Sequence, residues 1–203
     1  NQPEVLNALV DDKDRFFDTC LVAYNFESPK NVGEAISRAA KAGVGIIAMK
    51  TQAGGYKTET LGKISPHQAA LKWALQDRNV TMAIPGMKDL AQLRENIAVM
   101  GMPFQYADER ILRRYHAAVA GFYCDLCGTC EGTCPRGVEI STVNRSLMYA
   151  EGYRDRGLAL STYAEIPSAA SADACIDCPV CTAQCAKGLN IAAKMEHARE
   201  VLV

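Results

Sequence analysis

The stretch "CDLCGTCEGTCP" (124–135) decides how the second half of this chain must fold. Its cysteines, Cys124, Cys127, Cys130 and Cys134, follow the spacing C-x2-C-x2-C-x3-C, with Pro135 directly behind the last. The stretch "CIDCPVCTAQCA" (175–186) repeats that spacing through Cys175, Cys178, Cys181 and Cys185, with Ala186 in place of the proline. Three thiolates at intervals of three residues wrap one corner of a small metal cluster, and a fourth, four positions on, begins a helix that leads elsewhere. The spacing therefore predicts two [4Fe–4S] clusters. In the bacterial two-cluster pattern the fourth cysteine serves the other cluster. Applied here, Cys124, Cys127 and Cys130 take Cys185, and Cys175, Cys178 and Cys181 take Cys134. Local ligation, with each run keeping its own fourth cysteine, stays open as the alternative.

The competing chemistries for so many thiols are weaker. Disulfides would spread cysteines across the loops of a small secreted domain, whereas eight of the nine here sit in two tight runs. A structural zinc domain is the other alternative, but zinc normally takes its four cysteines from two separate C-x2-C knuckles. The ninth, Cys20 in "FDTCLVAYNF", reads as a small buried apolar residue.

Outward from the runs, the chain duplicates. "CEGTCPRGVEI" (130–140) and "CTAQCAKGLNI" (181–191) share two cysteines, a basic residue, a glycine, a branched apolar residue and an isoleucine in register. Arg136 and Lys187 hold equivalent places, where a cation beside a negatively charged cluster favours its reduced form. Both are expected to raise the cluster potentials; the alternative is solvated charge at a helix start. The 138–165 segment reads as polar-helical, "SAASADA" (168–174) as a small-residue linker, and "NIAAKMEHAREVLV" (190–203) as a closing helix.

Residues 1–105 alternate helix and strand instead. Helices are predicted at 3–12, 28–43, 65–78 and 88–100, and apolar strands at 18–25, 44–50 and 80–85. Ser65-Pro66 marks a helix start, Gly43 a helix stop, and the "AGG" at 53–55 a glycine turn. Near-continuous apolar strands between helices predict a parallel sheet covered by helices. The helix predicted at 106–123 runs into the first cysteine stretch, which places a domain boundary near 101–105. With 203 residues, about half of them apolar, the chain holds one medium domain or two small ones. A formal charge of −1 gives no support for nucleic-acid or membrane-surface binding, and no apolar run approaches the roughly 20 residues of a spanning helix.

At "YNF", "GIIAMKTQAGG", "SPHQAALKWAL" and "AIPGMKDLAQLRENIAVMG" the chain resembles the aldo/keto reductase family, in the branch that carries a C-terminal [4Fe–4S] ferredoxin-like domain. The resemblance implies an α/β fold: residues 1–105 are the last three βα units of a (β/α)8 TIM barrel, and 106–203 a mainly helical ferredoxin-like domain. It implies carbonyl reduction with NADP or NAD and a small-molecule carbonyl substrate, while one-electron clusters are expected to pass electrons to a redox partner protein or, alternatively, to stabilise the fold. The family's Asp, Tyr, Lys and His quartet lies on earlier strands, so no catalytic residue is expected in this chain. The three histidines, His67, His116 and His197, read as structural or exposed.

Carried over residue by residue, Glu95 and Asn96 match the pair that holds the adenine. Lys88 stands near the usual ribose-phosphate contacts, where this chain has Gly86, Met87 and Gln92, and Lys50 ends a strand where barrel sites are built. Leu21 and Met49 replace the carboxamide-gripping glutamine and the stacking aromatic. Those departures favour an electron-transfer module on a barrel without reductase activity as the rival reading. The chain begins "NQPEVL" without an initiator Met. It is expected to be the C-terminal portion of a longer protein, cytoplasmic, with export as a folded protein the other possibility.

Overall fold

In a computed structural model of the chain, residues 3–53, 65–119, 124 and 126–203 are described. They form two units, Asn1–Ala118 and Val119–Val203. The glycines at 54–55 and the 120–123 end of the helix expected before the first cysteine run lie outside the described residues.

In the first unit, β1 (Thr19–Ala23), β2 (Gly45–Met49) and β3 (Met82–Ala83) form a parallel sheet in the order β1-β2-β3. Cys20 pairs with Ile46, Val22 with Ala48 and Ile47 with Met82. Because side chains alternate across a pleated sheet, Val22, Ile46 and Ala48 share one face. That face is buried with Leu6 of α1 (Pro3–Asp11) and with Val32, Ile36 and Ala39 of α2 (Lys30–Lys41). The alternate row is Leu21, Ile47, Met82 and, beyond the strand, Ile84. Leu21 is 47 %, Met82 46 % and Ile84 43 % exposed. The sheet thus has one packed face and one largely bare apolar face. β3 is shorter than the 80–85 expected, yet its flanks extend the ladder: Thr81 N–H donates to Ile46 O and Ile84 N–H to Ala48 O, both at 2.9 Å.

Several helix ends are set by local signals, although the third and fourth helices stop three residues short of the expected 78 and 100. Gly43 has φ +88, the left-handed conformation that ends α2 at little cost only for glycine. Ser65 caps α3 (Pro66–Leu75) by accepting the Gln68 N–H at 3.2 Å, with Pro66 at its first position. Asp89 caps α4 (Leu90–Ile97) through the Gln92 N–H at 2.8 Å. This helix ends earlier than the expected residue 100, in tight turns that lead to Gly101 at φ +76. Trp73 of α3 packs on Tyr24 with ring centroids 5.0 Å apart, and the Tyr24 hydroxyl donates to Asp77 at 3.0 Å.

α5 (Tyr106–Val119) lies in the first unit up to Ala118, whereas the change of texture put a boundary in front of it. Specific bonds hold it there. Its Asp108 forms a buried ion pair with Lys72 of α3, Tyr115 donates to Gln52 O at 3.3 Å, and His116 meets Glu27 at 2.6 Å.

Among its described residues, the second unit contains helices and turns and no strand. α6 (Ile140–Leu147) runs into a π turn at Met148–Gly152, and α7 (Arg156–Tyr163) starts afresh on Asp155, whose carboxylate accepts the Leu158 N–H at 3.0 Å. The 138–165 helical stretch is therefore broken in two, with Arg154 at φ +53 in the break. The linker forms two 3-10 turns, Ser168–Ala170 and Ala172–Cys175, and α8 (Ile191–Leu202) is capped by Asn190. Val138, Ile140, Val143 and Leu147 pack with Leu189, Ile191 and Met195 in the core. Gly137 and Gly188 take equivalent left-handed φ of +65 and +74. Each turns the chain from a fourth cysteine into a helix, so the sequence duplication is also a duplication of local structure. No helix among the described residues is long and apolar enough to cross a membrane.

Candidate functional site

The thiols are built into the core of the second unit. Cys130 is buried within it, and Cys124, Cys134, Cys175 and Cys185 pack partly buried against it. A cavity is walled by Cys124, Cys127, Cys130 and Cys185, with Leu189, Ile191 and Lys187 closing its sides. Burial pushes the Cys124 thiol up to about 11, with the nearby Cys130, Cys185 and Cys127 adding to the shift and the Leu126 N–H opposing it. Burial likewise raises Cys175, and there the neighbours that add to the shift are Cys134, Cys178 and Cys181, while Arg199 lowers it. Each run's fourth cysteine therefore stands among the first three of the other run.

Backbone amides already point at the sulfurs. Leu126 N–H donates to Cys124 Sγ at 3.4 Å and Lys187 N–H to Cys185 Sγ at 3.3 Å. Such donors stabilise negative charge on a ligating sulfur. Leu126 reaches this position at φ +57 and is followed by Gly128 at φ +75, a tight backbone wrap around the cavity. All nine cysteines are free thiols.

Four thiols, those of Cys124, Cys127, Cys130 and Cys185, line one cavity wall, a donor set that an iron–sulfur cluster can use. A zinc needs four sulfurs at about 2.3 Å from one point, whereas a cube of irons and sulfides takes its thiolates at separate corners. With the Cys124 thiol raised by burial, metal must displace a proton there to bind.

The residues expected at the nicotinamide site are placed in the first unit as follows. The Glu95 carboxylate accepts from the Ser65 hydroxyl, and Glu95 O accepts from Gln68 Nε2 at 2.9 Å. Asn96 is buried, its Oδ1 accepting from Gln52 Nε2 at 2.8 Å. Both side chains are engaged in holding α4 to α3 and to the end of β2. Lys50 is exposed at φ +53, its carbonyl accepting from Asn25 Nδ2 at 2.9 Å. Lys88 is exposed just ahead of the α4 cap, and its N–H donates to Gln92 Oε1 at 2.8 Å. Leu21 lies on the bare face of the sheet and Met49 is half-buried.

Several contributors escape sequence reasoning. His67, expected at a surface helix start, is half-buried edge-on against Tyr115, and burial lowers its pKa. Gln52 and Tyr115 carry no motif that marks them, and Ser65, legible as a helix start, gives no sign that its hydroxyl also holds the Glu95 carboxylate. Thr133, between Cys130 and Cys134, ties the two cysteine runs together; its place inside the spacing was the one available signal.

Comparison with known proteins agrees with the division into two units. Residues 58–114 match the aldo/keto reductase family, and residues 123–190 match the 4Fe-4S dicluster domain. No curated protein and no solved structure matched. A segment similar to aldo/keto reductases is thus followed by one similar to 4Fe-4S dicluster domains, and the pair supports an oxidoreductase with iron–sulfur electron transfer.

Proposed function

We propose that this chain, an aldo/keto reductase segment joined to a dicluster domain, is the C-terminal part of a cytoplasmic oxidoreductase. The parent protein reduces a small-molecule carbonyl with NADPH or NADH and carries two [4Fe–4S] clusters. The observation that carries the two-cluster reading is the interleaving of the thiols. Cys185 stands with Cys124, Cys127 and Cys130, and Cys134 with Cys175, Cys178 and Cys181. The bare apolar face of the sheet supports the barrel reading. In a closed barrel Leu21, Met82 and Ile84 point into a packed interior.

When bound, each cluster accepts and releases one electron at a time. The chain's own residues do the rest. The eight cysteines hold the two clusters, Leu189 and Ile191 keep water from the first set, and the Leu126 and Lys187 amides offset charge on its sulfurs. In the first unit Glu95 and Asn96 would meet the adenine, and Lys50 and Lys88 a phosphate. Iron, sulfide and zinc per chain test this reading on anaerobically prepared protein, with the visible spectrum before and after dithionite. About eight iron and eight sulfide with a colour that bleaches on reduction are expected for two clusters. Stoichiometric zinc without sulfide would make the cysteine repeat a structural zinc domain and end the electron-transfer reading.

A specific observation favours a second reading, an electron-transfer module without reductase activity. Glu95 and Asn96 are already bonded to Ser65 and Gln52, so taking up an adenine means exchanging those partners. A tight NADPH dissociation constant in the full-length protein would decide against this module.

A further inference from the structure

Thr133 sits where the chain leaves one set of thiols for the other, between Cys130 and Cys134. Its hydroxyl is used in both directions. It donates to Cys130 O at 2.9 Å and accepts the Gln184 N–H at 2.9 Å. Its own carbonyl accepts the Thr182 hydroxyl at 3.1 Å. Gln184 directly precedes Cys185, and Thr182 directly follows Cys181. One residue is thus bonded to the backbone of Cys130 and to the neighbours of Cys185 and Cys181, and is joined by its peptide bond to Cys134.

The duplication does not repeat this device. In the second repeat Gln184 takes the place of Thr133, and in the first Glu131 takes the place of Thr182. The Glu131 carboxylate does something else: it accepts the Ser141 N–H at 2.8 Å. The Thr133 tie is therefore asymmetric between the two repeats. It consists of protein bonds alone.

We propose that Thr133 is a positioning residue that sets the spacing between the two cluster sites, keeping Cys134 in the second set and Cys185 in the first. The proposal rests on the two-cluster reading above. A hydroxyl that donates and accepts at once restricts both strands it joins, and a ligand displaced by a fraction of an ångström is a poorer ligand. The bridge also gives the shortest covalent and hydrogen-bonded route between the two exchanged cysteines: Cys134, Thr133, Gln184, Cys185.

The test compares the T133V, T133S and T182V variants with the wild type, as full-length chain with clusters bound. Valine keeps the shape and loses the hydroxyl. Two readouts separate positioning from simple stability: the spin–spin interaction between the clusters in electron paramagnetic resonance of the fully reduced protein, and the rate of iron release to a chelator. T133V is expected to alter the interaction pattern and to release iron faster, roughly fivefold for each hydrogen bond lost. T133S is expected to restore both. T182V, which removes one exposed bond, is expected to move both readouts the same way by less, and it decides the matter if T133V does not yield folded protein. Wild-type spectra and release rates in T133V, or in T182V where that variant stands in, overturn the proposal. Wild-type protein without iron overturns the two-cluster reading and the proposal together, whereas two clusters with no interaction in the wild type overturn the proposal alone.

Discussion

The two units are stabilised in opposite ways. In the first, aliphatic side chains from α1 and α2 cover one face of a parallel sheet, and its one cysteine, Cys20, lies at the margin of that core. In the second, five thiols are part of the core or packed against it, beside Val138, Ile140 and Ile191. One cavity walled by four thiols opens beside this core. Metal bound there would add to folding free energy, whereas the first unit coheres through apolar burial and the buried Lys72–Asp108 pair.

The widest separation of the two should come from stripping the metal. After anaerobic chelation, amide hydrogen exchange is expected to show lost protection across α6, α7 and α8 and unchanged protection in β1, β2 and α2. Retained protection in the second unit would erase the contrast. Next in size is the Lys72–Asp108 pair, whose side chains are 14 % and 3 % exposed. Asp108→Ala strands the lysine charge and also removes the acceptor for the Gln105 N–H. It is expected to cost the first unit about 3–5 kcal/mol in urea unfolding, with iron content unchanged.

A smaller loss is expected at the α3 cap. Ser65→Ala should cost about 0.5–2 kcal/mol. It also frees the Glu95 carboxylate, so NADPH affinity measured by fluorescence should rise if that carboxylate is an adenine ligand. Arg136, whose guanidinium donates to Asp177 O at 3.3 Å between Cys175 and Cys178, sharpens the comparison inside the second unit. Arg136→Ala is expected to lower the midpoint potential of the second set alone. The shift should stay below the roughly 59 mV of a tenfold one-electron change, because the charge is exposed. Unchanged potentials would make Arg136 ordinary surface charge.

The smallest effect is a pH dependence at α8. The His197 pKa is raised above 6.5, first by its hydrogen bond to Glu151 in the π turn, against some desolvation, with Glu200 adding to the rise. A histidine held more basic in the fold stabilises it fully below its unfolded value and stops doing so as the pH rises through the folded one. The stability gap between wild type and His197→Gln, followed by chemical unfolding, should therefore be widest in mild acid and shrink toward alkaline pH. A gap that does not vary with pH would remove His197 as the source.

Much of this protein is determined by neighbours along the chain. The cysteine spacing, the duplicated glycines Gly137 and Gly188, the Ser65-Pro66 helix start and the Gly43 stop are local devices. Their chemistry works within a few residues, so the sequence alone specifies them. The apolar rows of β1 and β2 are legible for the same reason, since a period of two marks both faces without saying what covers them. Other features depend on through-space meetings that spacing does not encode. Packing of α6 against α8 brings Cys185 among Cys124, Cys127 and Cys130, and Cys134 among the second set. Tertiary contacts join α5 to the first unit through Lys72, Gln52 and Glu27, where composition suggested a boundary. They also engage Glu95 and Asn96 with Ser65 and Gln52, bury His67 against Tyr115 and make a bridge of Thr133. Each is a bond between residues far apart in sequence, and only the packed chain brings such partners within hydrogen-bonding reach.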